Sequence, residues 1–224
     1  MSGPRCRRRA WCPSNRTTAI TIPEAVMLKK ARVLIVFAAL FAAACVPETE
    51  TFLSDPGAQP LDGRLVGTWY WLDRDGREVS IITVRRGRDK RFDVIWVAMK
   101  PDRSRVVDDP PVHFVRYKGH TTRIGKATFI NLTLIDRKSW QDGTPRNFIL
   151  RYRIGKRGLR IALMKNDVFK KAVKERRLAG VFRKNDVVIT AKREALIAFL
   201  RKTGFDKSFE KPSEPMRRMR PTGR

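Results

Sequence analysis

Apolar and polar positions alternate with period two through much of the chain after residue 64. Phe148, Leu150, Tyr152 and Ile154 alternate with Ile149, Arg151 and Arg153, giving a strand one apolar face and one largely basic face. Gly155-Lys156-Arg157-Gly158 then supplies a turn, and Leu159, Ile161 and Leu163 resume the apolar face against Arg160, Ala162 and Met164, so residues 148–164 read as a β-hairpin. Similar segments run over 65–72, 79–84, 92–99, 112–117 and 128–135, with a last one over 187–190. Turn material such as Asp73-Arg74-Asp75-Gly76, Gly87-Arg88-Asp89 and Asp142-Gly143 separates them. Seven or eight short strands at roughly even spacing, each with one wet face, predict a mainly β fold: an antiparallel up-and-down barrel or a sandwich, not a parallel sheet.

Two segments change period. Asn166 or Asp167 is placed to cap a short helix running to about residue 177, with Val168, Phe169, Ala172 and Val173 inward. Thr190 is placed to cap a C-terminal helix over 191–202, whose Ala195, Leu196, Phe199 and Leu200 form one stripe and which Gly204 stops. That stripe reads as packing against the sheet.

Earlier in the chain one run is apolar on every face. Residues 27–45 read MLKKARVLIVFAALFAAAC: Lys29, Lys30 and Arg32 make a positive start, 33–40 an apolar stretch and Ala42-Ala43-Ala44 a small-residue exit, the layout of a secretory signal peptide. The uncharged run over 33–46 has 14 residues, about 21 Å as a helix against a hydrocarbon core of about 30 Å, so it is short for a membrane span. Only basic sequence precedes it, which leaves no domain to enclose it as a core helix.

The exit, Ala42-Ala43-Ala44-Cys45, resembles the lipobox of bacterial lipoproteins, in which three mostly small or aliphatic residues precede an obligate cysteine; Ala42 departs from the more usual Leu. The resemblance implies cleavage between Ala44 and Cys45, a thioether-linked diacylglyceryl group on Cys45, and stable membrane anchoring through two or more acyl chains. Ordinary signal cleavage beside an incidental cysteine is the alternative. Val46 stands where family members retained at the inner membrane carry Asp, which implies transfer to the outer membrane, facing the periplasm, in a Gram-negative cell. Residues 1–26 exceed what a signal start needs, and Arg7-Arg8-Arg9 lies too far from the apolar stretch for a twin-arginine signal. Translation is therefore expected to begin at Met27 and not at Met1.

Charge and composition sharpen this division. The 224 residues carry 49 Lys+Arg against 22 Asp+Glu, a formal +27; eight cations and one carboxylate precede residue 45, so residues 45–224 keep +20. With 42% hydrophobic residues the chain is too apolar for a disordered basic tail. Cys6, Cys12 and Cys45 are its three cysteines, so the folded part has its core and no disulfide framework to hold it. Residues 45–62, with Pro47, Pro56, Gly57 and Pro60, read as a flexible linker, 63–204 as the β-domain with its helices, and 205–224 as a basic disordered tail.

Gly67-Thr68-Trp69 opens the first strand and resembles the Gly-x-Trp signature of lipocalin-like barrels, although the clearest helix follows the last readable strand and the family's later Thr-Asp-x and Arg motifs have no counterpart. The resemblance implies a cup in which Trp69, Trp71, Phe92, Trp96 and Phe148 line a cavity for a small apolar ligand; filling of the core by the same side chains is the alternative. His113 and His120 match no zinc spacing and read as surface or edge residues. Asp108-Asp109 precedes Pro110-Pro111 and reads as a turn. No activated nucleophile or phosphate-binding loop is recognisable, so neither catalysis, metal nor cofactor is expected. The basic pairs Arg85-Arg86, Lys90-Arg91, Lys170-Lys171, Arg176-Arg177 and Arg217-Arg218 suit either a solubilising surface or attraction to anionic envelope components. Nucleic acid would satisfy the same charge, but the export signal argues against it. The expected protein is a lipid-anchored envelope protein that binds a small apolar ligand or an anionic component, or serves a purely structural role around a filled core.

Overall fold

The computed structural model describes residues 46–72, 79–99, 112–135, 146–183 and 186–219. A short β1 (Glu48–Thr49) precedes a meander of β2 (Gly67–Leu72), β3 (Val79–Arg86), β4 (Phe92–Met99), β5 (Val112–Ile124), β6 (Ala127–Leu134), β7 (Asn147–Gly155) and β8 (Gly158–Ala162). Each meander strand pairs antiparallel with the one before it. After it come α1 (Asn166–Lys174), β9 (Gly180–Arg183), β10 (Asp186–Ile189), α2 (Arg193–Thr203), α3 (Phe205–Ser208) and β11 (Arg217–Arg218). The fold is mainly β and antiparallel with a few short helices, as the alternation predicted; of the two forms the alternation left open, the eight-stranded sheet takes the nearly closed, barrel-like one.

The end of the chain closes the barrel. Residues 208–216 run antiparallel along the strand after β7: Lys165 N–H donates to the Ser208 carbonyl at 3.0 Å, Glu210 N–H to Leu163 O at 2.7 Å and Ser213 N–H to Ile161 O at 2.8 Å. Leu159 and Met216 exchange backbone bonds of 3.0 and 2.7 Å, and β11 then pairs with Tyr70 and Trp69 of β2. Sheet edges left unpaired invite aggregation, and this seam occupies both of them. Two expectations are corrected here. The span 205–219 is ordered structure, because Met216 (1% exposed) and Phe209 (1%) are core side chains that its basic composition conceals. The strand at 187–190 is not a barrel strand; β10 joins β9 and β1 in a separate three-stranded sheet.

Two apolar layers result. Inside the barrel lie Trp69, Ile82, Phe92, Trp96, Leu132 and Leu150, among others, each burial of such a side chain contributing about 1.5–3 kcal/mol. Outside it, Phe129, Ile149, Ala162 and Met164 on the outer face of β6–β8 meet Phe169, Ala172 and Val173 of α1 and Leu196, Phe199 and Leu200 of α2. Both helical stripes pack onto the barrel as expected, except that Ala195 faces solvent and Ile197 takes the partly buried place. The caps differ too: Lys165 and Lys192 occupy the N-cap positions without side-chain bonds, while Thr190 N–H is held by the Ala179 carbonyl. Gly204, at φ 87°, stops α2 as predicted.

Residues 46–62 are the third correction. They form a strap down the outside of the barrel. β1 pairs parallel with Val188 and Ile189 of β10, and Glu48 is bound by Arg146 just ahead of β7, with Nε to Oε1 at 2.8 Å. Both side chains of that pair are nearly buried, at 8% and 11% exposure. The strap then crosses under the barrel, where Leu61 and Leu65 join the interior and the Trp69 indole N–H donates to Leu65 O at 2.8 Å. Proline and glycine content suggested a free linker; pairing with partners far along the chain is what fixes it.

Candidate binding surfaces of the barrel

A meander places alternate connections at opposite ends. The links β2–β3, β4–β5 and β6–β7 share one end with the start of the strap; the turns β3–β4, β5–β6 and β7–β8 share the other with Asp62–Leu65.

The turn end is basic. An open pocket of about 370 Å³ is lined by Arg64, Arg123, Gly125, Lys126, Thr128, Arg153 and Ile154. Arg64 is held by Asp62, with Nη2 to Oδ2 at 2.7 Å, and this bond keeps the Asp62 carboxyl below its usual range against the opposing effect of partial burial. The Tyr152 hydroxyl also donates to Asp62 Oδ2, at 3.0 Å; burial, reinforced by that carboxylate, raises the phenol above its ordinary value. Arg123, Lys126 and Arg153 have no ion-pair partner among the described residues. Arg88 and Lys90 on the β3–β4 turn and Lys156 and Arg157 on the β7–β8 turn stand exposed at the same end. Cations gathered in this way give that end a positive local potential.

The aromatic candidates meet in the interior. Trp69 (3% exposed), Phe92 (0%), Trp96 (3%) and Phe148 (9%) are buried in one cluster, with Trp71 packed against it. They meet aliphatic neighbours as a filled core would. Tyr117 closes on Phe148 edge-to-face, with centroids 6.3 Å apart, and its burial pushes the phenol up to about 12. Toward the linked end the inward row passes through Trp71, Ser80 and Ala98. Ser80 is fully buried, and its hydroxyl has no hydrogen-bond partner among the described residues.

A buried polar cluster on the outer face fastens the strap. Asn131 Oδ1 accepts from Leu53 N–H at 3.1 Å, its amide donates to Thr122 Oγ1 at 2.8 Å, and Thr122 Oγ1 meets Ser54 Oγ at 2.6 Å. His120 Nε2 lies 2.7 Å from the Ser54 carbonyl and 3.2 Å from the Asn131 amide nitrogen. His120 is 2% exposed, correcting its reading as a surface residue; burial lowers its pKa and keeps it neutral. The imidazole meets a backbone carbonyl and not the serine hydroxyl, so the cluster has no activated nucleophile. It also explains why β5 runs on to Ile124 beyond the predicted 117: the polar outer positions His120 and Thr122 find partners in the strap. Farther along, Arg193 holds Asp55 through Nη1 and Nη2 and the Phe52 carbonyl through Nε at 3.1 Å.

Ala44, Cys45, Asp108 and Asp109 lie outside the described residues, as do residues 1–43. Among the described residues no group of three or more His, Cys, Asp and Glu side chains could hold a metal, and no helix is long and apolar enough to cross a membrane. The basic pairs picked out in the sequence scatter over α1, the seam and the turns. The sequence pattern does not predict the grouping of Arg64, Arg123, Lys126 and Arg153: Arg153 stands beside the predicted turn at 155–158, whereas the turn at Gly125-Lys126 falls between predicted segments. No family model, curated protein or solved structure matches the chain.

Proposed function

We propose that the chain is a lipid-anchored protein of the cell envelope, held through Cys45, with a non-catalytic role: its barrel presents a basic end to anionic envelope components. The observation that carries this reading is the pocket of Arg64, Arg123, Lys126 and Arg153, three of whose cations lack a carboxylate partner among the described residues. A cation near an anionic surface contributes about 1 kcal/mol, so several acting together give useful, salt-sensitive binding. The lipobox-like Ala42-Ala43-Ala44-Cys45 supports the anchor, and outer-membrane residence facing the periplasm goes with it.

Inorganic polyphosphate serves as the probe. Arg123→Glu with Lys126→Glu and Arg153→Glu should abolish its salt-sensitive binding, while Lys170→Glu with Lys171→Glu on α1 should leave most of it. Equal loss in both variants would mean that net charge alone is responsible. Mutating Cys45 to Ala and fractionating cells tests the anchor: unchanged membrane retention together with unchanged acyl labelling refutes it.

A second reading, carriage of a small apolar ligand, draws on the buried Ser80 hydroxyl beside Trp71 and Ala98. Native mass spectrometry of protein from its own host tests it. A uniformly ligand-free mass counts against carriage and for a purely structural core.

A further inference from the structure

The basic pocket sits on the rim of the barrel, and the strand register shows how. Arg123, Thr128 and Tyr152 stand side by side on β5, β6 and β7, one row beyond Thr121, Ile130 and Leu150. Side chains at paired positions share a face, so Arg123 and Thr128 carry the inward row of Tyr152 out to the turn end. Below them the interior is stoppered. Tyr152 is buried and bound to Asp62, and Leu61 and Leu65 pack against the interior cluster. None of the buried interior side chains lines the pocket; the half-buried Ile154 alone touches both. The pocket is therefore closed beneath and open above, and its volume of about 370 Å³ is near the lower end of small-ligand sites.

Its cations come from four separate places in the chain. Arg64 is gripped by Asp62 through Nε and Nη2, which leaves Nη1 without a partner among the described residues. The Arg123 backbone is clamped by Gln59, whose Oε1 accepts from Arg123 N–H at 2.7 Å and whose amide donates to Arg123 O at 3.3 Å. Lys126 stands on the β5–β6 turn beside Gly125, where nothing lies within 4 Å of an added Cβ, so approach is open. Arg153 stands opposite Arg160 across β7 and β8, a pairing of like charges that destabilises a sheet. Asp206 is within electrostatic reach of Arg153 but is bound by Arg151. Both oxygens of Asp62 are likewise taken, by Arg64 and Tyr152. Four cations thus share one pocket with a single engaged carboxylate, a local surplus of three positive charges.

We infer that this pocket is a site for a terminal phosphate monoester. A carboxylate, a sulfate ester or a phosphate diester brings one negative charge, which a single guanidinium satisfies. A phosphate monoester brings about −1.5 to −2 at pH 7 and three strong acceptor oxygens, which matches several separate cations around one small space. Three of the four cations are arginines, whose planar forks suit phosphate oxygens. The stopper below admits only an end group, with whatever carries it lying outside. Ile154 offers that group an apolar wall. The inference rests on the reading of the basic end as an anion-contacting surface and names the chemistry it selects. A phosphorylated sugar and a glycerolipid headgroup both present this group, and the test separates them.

Protein purified from its own host in neutral detergent is titrated calorimetrically with glucose 6-phosphate, glucose 6-sulfate and glucuronate at about 0.15 M salt. Glucose 6-phosphate should bind at least about tenfold more tightly than the other two, and Arg123→Gln or Arg153→Gln should each weaken it by about tenfold. Both side chains are exposed, so their replacement leaves the core intact. Lys174→Gln, at the end of α1, should change nothing. Glycerol 3-phosphate is the further probe: tighter binding of glucose 6-phosphate assigns a sugar-borne phosphate, tighter binding of glycerol 3-phosphate a glycerolipid-derived one, and either upholds the monoester. Equal affinities for the phosphate, sulfate and carboxylate probes overturn it. Phosphate affinity unchanged in both glutamine variants places the site elsewhere and overturns it too. In either case, salt-sensitive polyphosphate binding by the basic end leaves the wider reading standing, and its absence overturns both.

Discussion

Gly158→Ala tests whether the C-terminal segment really closes the barrel. Gly158 holds φ +125°, and a Cβ there would stand 2.1 Å from the Met216 carbonyl oxygen and 3.0 Å from its carbon. Both are backbone atoms, so no side-chain rotation relieves the overlap. The unfavourable φ contributes about 1–3 kcal/mol. Relief of the clash then weakens the paired Leu159–Met216 bonds, about 1 kcal/mol each. It also exposes part of Met216, whose complete removal from a core would cost about 2–5 kcal/mol. Together these give an expected loss of about 3–6 kcal/mol, a large part of the roughly 5–15 kcal/mol that holds a domain. For a domain of this size that lowers the melting temperature by roughly 6–24 °C. The assay is urea and thermal unfolding followed by tryptophan fluorescence, since Trp69 sits at the seam with Arg218 over its ring at 5.6 Å. Gly125→Ala is the control: φ is +60° but nothing lies within 4 Å of the added Cβ, so about 1–2 kcal/mol of left-handed strain is the whole cost. If Gly158→Ala is no more destabilising than Gly125→Ala, the seam is not as described.

Truncation after Ser213 should destabilise the barrel by at least as much as Gly158→Ala and promote aggregation, because it uncovers the edges of both β2 and β8; light scattering on warming checks it. Arg146→Ala should cost about 3–5 kcal/mol by leaving the Glu48 carboxylate buried without its partner, read by denaturant unfolding. The strap should also loosen in acid. Burial lowers the folded pKa of His120, while the unfolded side chain titrates near 6.5; the unfolded state therefore binds the extra proton first. Stability from this site is complete above about pH 6.5 and declines as pH falls through that value toward the folded pKa, and a His120→Gln variant should lose that part of the slope in unfolding curves measured from pH 7.5 to 5.

The sequence by itself determined the class of fold. Period two over the meander strands, turns between them and a shift to period 3.6 after residue 165 are local properties, written in neighbouring residues. They sufficed for the β7–β8 hairpin, the two longer helices and the inward set that includes Trp69, Phe92, Trp96 and Phe148. What only the tertiary structure decided are pairings between residues far apart in the chain. The strap, 45–62 by composition a linker, is held by Asn131, His120 and Arg146; the segment 208–219, by composition a tail, is held by Leu159 and Trp69. No local period announces such contacts, because the donors and acceptors that satisfy them are supplied by other elements. The same holds for the basic end. Arg123, Lys126 and Arg153 look like ordinary turn cations, and the alternation of connections brings them into one basic mouth.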